Sequence, residues 1–347
     1  SRSTDRLGMV DGPSGADADQ VETPRPATIV DVARAAFVSP STASLALSGR
    51  KGVTEATRER VREAAQQLRY RPNLTARSLR GGTVGPVGIV VDPSLIDDVH
   101  DVSRLFAHRL LLTLNSGLAQ LGVPVSYLDA DADNLPATSI IVVLGRPTLS
   151  PSLAALLTDV PFLAAGFEPG DGQVPKASFH HDHAAYADEL VAHLVAQGAT
   201  KLAVLREDAD ANYSVIGSEA VAEAAGRQGL AVEVIASAID PVAVQSRTAA
   251  VVREGADAVF AMFPFPGAIL AGVSAAGKRV PDDVLVVDRA EGTIEAEVRP
   301  RVSSLSMDAL GSAAAILAAI RQLIAQGSPQ SATLPHKLIV RESSTRK

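Results

Sequence analysis

Between Ser39 and Ser44 the chain reads Ser-Pro-Ser-Thr-Ala-Ser, four short hydroxylated side chains crowded around a proline. Serine caps helices well and proline is tolerated at the first helical position, so these hydroxyls are expected at the start of a short helix running to about Ser48. The N–H groups of such a start carry partial positive charge. With hydroxyl donors beside them they suit phosphate oxygens, and the short side chains allow close approach to base edges. A second hydroxyl pair, Thr54 and Thr57, sits where the following helix should open, and Thr28 stands before the preceding one. The surrounding charge agrees with a polyanionic target. Residues 27–82 hold ten Lys+Arg against four Asp+Glu, a net of six positive charges, in a chain of 347 residues with 32 Lys+Arg, 39 Asp+Glu and a net charge of −7. The rest therefore carries about −13, and a nucleic acid is to be sought at one end only.

The elements needed to position these groups are legible in the same stretch. After Thr28 the run IVDVARAA puts Ile29, Val32, Ala33 and Ala36 on one helical face. A turn is expected at Phe37-Val38, then the helix capped by Ser39. Thr54-Glu55 opens a third helix to Arg69, with Val61, Ala64, Ala65 and Leu68 as its buried stripe. Two short helices around a turn followed by a longer one is a helix-turn-helix pattern. By spacing alone it also fits a three-helix bundle with a solvated basic face.

Residues 27–88 resemble the N-terminus of the LacI/GalR family of bacterial transcription regulators through ATIVDVARAA, VSPST, VTEATRERV, LRYRPN and ARSL. The resemblance implies that the second helix enters the major groove and that residues 73–80 form a hinge helix when a dimer binds its operator. It implies phosphate contacts at Thr28, Ser39, Thr42, Ser44, Thr54, Thr57, Tyr70 and Asn73, and base reading at Pro40, Ser41 and Leu45. Leu79 becomes a minor-groove wedge, with Ala76 against the partner hinge and Arg77 and Arg80 flanking. A segment as short as NLTARSLR is marginal as an isolated helix, which suits order gained on DNA. Three positions depart from the family pattern: Leu45 for an arginine suited to guanine, Ser48 for asparagine and Phe37 for the glycine of the turn. Fewer polar base contacts imply an unusual operator or more reliance on DNA shape.

Beyond Gly85, apolar strand-like runs at 86–92, 123–129, 138–145, 161–166, 201–206, 232–236, 257–263 and 284–288 alternate with helical stretches including 102–121, 184–197, 215–228 and 307–325. Such alternation implies parallel sheets covered by helices. This region resembles the family's sensor domain, two doubly wound lobes with three crossovers and a ligand cleft, shaped like a periplasmic sugar-binding protein. The expected fold is thus α/β: a helix-turn-helix head (27–72) after a disordered tail (1–26), a hinge and linker (73–85), and a two-lobed domain (86–345). Lobe one is expected to take 86–181 and 304–327, lobe two 182–303 and 328–345.

The resemblance places effector contacts at Asp92, Asp182, Gly217, Phe263 and Ala290. Its usual polar anchors for a sugar, an arginine, an Asn-Asp pair and an aspartate, fall near Gly217, Phe263-Pro264 and Ala290 and are absent. A hydroxyl-rich ligand left unpaired in a dry cleft is costly, so a typical sugar effector is not expected. The run FAMFPFP, with Phe260, Phe263 and Phe265, is either the wall of an apolar pocket or packing that shuts the cleft. His180-His181-Asp182-His183 has metal-binding residue types, but adjacent side chains of an extended segment point to opposite sides, and no metal is expected.

There is no cysteine, which removes disulfides, cysteine zinc sites and thiol nucleophiles together. No phosphate loop, nucleophile elbow or metal quartet is present, so no enzyme and no cofactor are expected. The first 26 residues lack the apolar run of a signal peptide or membrane anchor, and a cytoplasmic homodimer on double-stranded DNA is expected. The alternatives are a regulator without a small-molecule effector and a solute-binding protein, for which the basic head would be superfluous.

Overall fold

The computed structural model describes residues 27–47, 52–68, 70, 85–96, 105–208, 212–292 and 294–346. The expected hinge, with Asn73, Ala76, Arg77 and Leu79, lies outside these residues, as do Ser48 and the N-terminal tail. Contacts divide the chain into two compact units, Ser1–Pro72 and Asn73–Lys347.

The first unit, the head, contains α1 (Ile29–Ala35), α2 (Pro40–Leu47) and α3 (Glu55–Gln67). Each begins at a hydroxylated residue. Thr28 and Asp31 form a reciprocal capping box on α1. The Ser39 hydroxyl accepts the Thr42 N–H at 3.1 Å, and the Thr54 hydroxyl accepts the Thr57 N–H at 3.3 Å. The small core is built mainly from alanines, Ala33, Ala36, Ala43, Ala46, Ala64 and Ala65 around Val32 and Val61, which lets the helix axes approach closely.

The second unit, the body, has two six-stranded sheets. The first runs in the order β11-β5-β4-β3-β1-β2, with β1 Val87–Val91, β2 Val125–Tyr127, β3 Ile140–Leu144, β4 Phe162–Ala165, β5 Ala177–His181 and β11 Ala332–Leu334. All its pairings are parallel. One face packs on α4 (Leu105–Gln120) and α10 (Ala309–Ile324), the other on α5 (Pro151–Asp159). Burial on both faces explains why β1, β3 and β4 are unbroken apolar runs rather than alternating ones.

The second sheet repeats the plan as β12-β10-β9-β8-β6-β7, with β6 Lys201–Glu207, β7 Ala231–Ser237, β8 Ala258–Ala261, β9 Leu285–Arg289, β10 Ser303–Ser306 and β12 Lys337–Ile339. Only β12 is antiparallel. Helices α6 (His183–Ala196) and α7 (Asn212–Arg227) cover one face, α8 (Pro241–Arg253) and α9 (Pro266–Ala275) the other. The chain passes between sheets after β5, β10 and β11. Because β10 pairs with β9 and β11 with β5, the last two crossings fall after Ser306 and Leu334, later than the expected 304 and 328. Among the described residues no helix is long and apolar enough to cross a membrane.

Candidate nucleic-acid interface and effector cleft

On α2, Ala43 and Ala46 are buried while Pro40, Ser41 and Ser44 lie exposed on the other side, with Leu45 and Thr42 half-buried. Ser39 and Thr42 join their hydroxyls at 2.8 Å, and Thr54 and Thr57 do the same at 2.9 Å. Two helix N-termini thus carry the same device, a pair of hydroxyls at the positive end of a helix, which fits a phosphate oxygen. Thr28 differs. Its N–H and hydroxyl both point to Asp31 Oδ2, at 2.8 and 2.7 Å, so a phosphate there would compete with a carboxylate. Tyr70 packs on the head core and its N–H donates to Ala65 O at 2.8 Å.

Two features of the head were not evident from the sequence. Arg58, whose side chain is only 11% exposed, donates from Nη1 to Ala46 O at 3.0 Å, so this charge closes the end of α2. Arg62 pairs with Glu55 and Glu59 at 3.4 and 3.2 Å. The basic count therefore overstates the charge presented to a polyanion. Phe37 is 93% exposed with φ +54°, in the left-handed region where glycine is at ease and a bulky residue is strained.

In the body the expected effector residues scatter. Asp92 spends both carboxylate oxygens on backbone donors, Ser94 N at 2.9 Å and Arg146 N at 3.0 Å. Asp182 caps α6 by accepting from Ala185 N at 2.9 Å. A Cβ on Gly217 would stand 2.5 Å from Tyr186 Oη and 2.6 Å from Met262 Cε, so a side chain there requires the tips of these two residues to move. Phe263 is 1% exposed, packed beneath α8 and α9 and edge-on to Phe265 at 6.0 Å, which favours the packing alternative over a pocket wall. Phe260 is buried in the opposite layer beneath α6 and α7. The aromatics of FAMFPFP are core, and Met262 and Pro264 between them face the other lobe.

Of the five expected contacts, Ala290 lines a small pocket between the lobes. Its other walls are Leu105 and Phe106 from lobe one, Met262, Pro264, Arg289 and Glu291 from lobe two, and Met307 at the crossing. The cavity holds about 20 Å³, room for about one water molecule. Beside it, burial, then the charge of Arg289, then neighbouring histidines push the His181 imidazole down to about 3. His183 is lowered by burial and Arg289, against the pull of Asp182, and its Nδ1 lies 2.9 Å from Tyr186 Oη. Among the described residues no three His, Cys, Asp or Glu side chains stand together as a metal site.

Comparison with known proteins covers both units. Residues 28–73 match the family "Bacterial regulatory proteins, lacI family" and residues 191–344 match "Periplasmic binding protein-like domain". Catabolite control protein A of Streptococcus mutans is 28% identical over 80% of this chain and 86% of its own length. The protein of that name from Staphylococcus xylosus is 28% identical over 52% of this chain, and the match spans just over half of that protein (56%). The regulator MalR of Streptococcus pneumoniae is 44% identical over 66 residues, 19% of this chain and 20% of its own. Among solved structures, the lac repressor dimer bound to operator and the anti-inducer ONPF superposes with a TM-score of 0.60 at 20% identity, covering 93% of this chain and 100% of that one. The regulator CelR in complex with cellobiose gives 0.59 at 20% identity, covering 91% and 99%.

Proposed function

The chain belongs to the LacI family of bacterial regulatory proteins and is a DNA-binding transcription regulator, and from that premise we propose that it is a dimeric repressor of a palindromic operator whose cleft does not take a typical sugar. The observation that carries the DNA side is the repeated hydroxyl pair, Ser39 with Thr42 and Thr54 with Thr57, at two helix starts of the head. These residues, Thr28, Ser44, Tyr70 and Asn73 are assigned to phosphates. Pro40, Ser41 and Leu45 are assigned to base edges, Leu79 to a minor-groove step, and Ala76 and Arg77 to its support.

A dimer is supported by the operator-bound dimer of the similar lac repressor. Apolar surface on lobe one agrees: Leu112 on α4 is 70% exposed and Tyr127 on the edge strand β2 is 54% exposed. Against a sugar stand the small volume of that pocket, about 20 Å³, and the apolar side chains of Met262, Pro264 and Ala290 in its lining, where Arg289 and Glu291 are the polar groups. Reading an operator requires access to the chromosome, so the place of action is the cytoplasm.

Selection from random duplexes by the full-length protein at near-physiological salt tests the reading. The expected product is one palindrome, with Leu79→Ala weakening its binding while the dimer persists. Recovery of sequence-indifferent, steeply salt-dependent binding alone would overturn it.

A further inference from the structure

We infer that Phe106, in the first turn of α4, takes the place of an effector and holds the two lobes together without any small molecule. The inference rests on the regulator reading above and names how its cleft is governed. Phe106 packs against the buried cluster of each lobe, the only cleft-lining residue described that does so. Its ring meets the His181 imidazole edge-on, with centroids 5.7 Å apart and planes at 68°. That imidazole has no hydrogen-bond partner on either nitrogen among the described residues. Its neutral form is favoured by burial and by Arg289, which leaves it an uncharged aromatic partner for the phenyl ring.

One turn further along α4, Arg109 Nη1 donates to Glu291 O at 3.1 Å, from lobe one to lobe two. The acceptor is itself anchored. Glu291 Oε1 accepts from Ser306 Oγ at 3.3 Å and Met307 N at 3.1 Å, and Oε2 accepts from Ala309 N at 3.1 Å, so Glu291 is fixed to the crossing between the lobes. Phenyl and guanidinium therefore make from within the chain the two kinds of contact by which a bound ligand bridges lobes, apolar filling and a directed hydrogen bond. The pocket that Phe106 lines keeps about 20 Å³, room for about one water molecule.

The chain has no cysteine, so Val174→Cys on lobe one and Val242→Cys on lobe two, both exposed, allow a donor–acceptor pair to report lobe separation in the full-length protein. Wild type is expected to stay closed and unchanged on adding lactose, cellobiose or benzene. Phe106→Ala should lengthen the label distance and weaken operator binding by about fivefold or more, the low end of ordinary site-to-site coupling. Benzene, which fits an apolar cavity of phenyl size, should reverse both changes, and Phe106→Leu should keep most of the closure. Arg109→Ala, a milder change, should give partial opening even where Phe106→Ala folds poorly. An unchanged distance in both alanine variants, or a wild-type response to either sugar, would overturn the inference. Failure of wild type to select any operator would sink the regulator reading alone, since the label distance still decides whether Phe106 closes the cleft.

Discussion

In the head, the hydroxyls singled out by the sequence remain at or near the surface and are held by one another and by their own helix starts, Ser39 by Thr42 and Thr54 by Thr57. In the body, the corresponding residues are spent on the fold: Asp92 and Asp182 on turns and caps, Phe263 on the core, Gly217 on a close approach. A binding surface made by one short helix keeps its chemistry wherever that helix is placed. A cleft has no chemistry until two lobes bring their walls together, and here the pocket between them sets Arg289 and Glu291 among apolar side chains.

The comparison breaks most visibly at Phe263. If it is core, Phe263→Ala should cost about 3–5 kcal/mol in denaturant unfolding; a loss near zero would return it to the cleft. A second effect concerns pH and the body only, since the head has no histidine. His181 has a folded pKa of about 3 against 6.5, so only the unfolded chain takes up its proton between those values. Its stabilising contribution is complete above the unfolded pKa and is lost as pH falls, roughly 2 kcal/mol by pH 5. His183 acts in the same direction. Asp288 and Glu295, raised by burial, act in the opposite one, so the measurement is the difference in pH slope between wild type and His181→Phe.

A sharper contrast comes from placing arginine at the two positions where the family usually carries one. Gly217→Arg should destabilise by about 1–3 kcal/mol, because the tips of Tyr186 and Met262 must repack around the longer side chain. Leu45→Arg, half-buried on α2, should alter stability by less than about 1 kcal/mol. It should nevertheless change the preferred base at one symmetric position of each half-site. Identical selected operators for the two proteins would remove Leu45 from the base readers. The smallest effect is expected at Phe37→Gly, which relieves a left-handed, exposed phenylalanine and should raise head stability by about 1 kcal/mol in thermal melts.

Much of the fold was legible because local chemistry repeats. Ser39-Pro40 announces α2, and the same signal at Ser150-Pro151 and Asp240-Pro241 starts α5 and α8, which were not among the expected helices. Helix α9 offers less, since Phe265 caps it without a side-chain hydrogen bond. Strands β11 and β12 are three residues each and carry no readable period. Which sheet they join decides the lobe boundaries, and a partner as distant in the chain as Phe179 is for Ala332 of β11 leaves no local mark.

The sequence by itself determined the head and its target, because capping, helical periodicity and clustered charge act over a few neighbouring residues. It also determined the alternating α/β body, and it gave the expectation that the usual sugar anchors are missing. Only the tertiary structure decided what replaced them. The walls of the cleft come from Phe106, Met262, Pro264, Ala290 and Met307, distant along the chain, and their close packing sets a volume that no local pattern encodes.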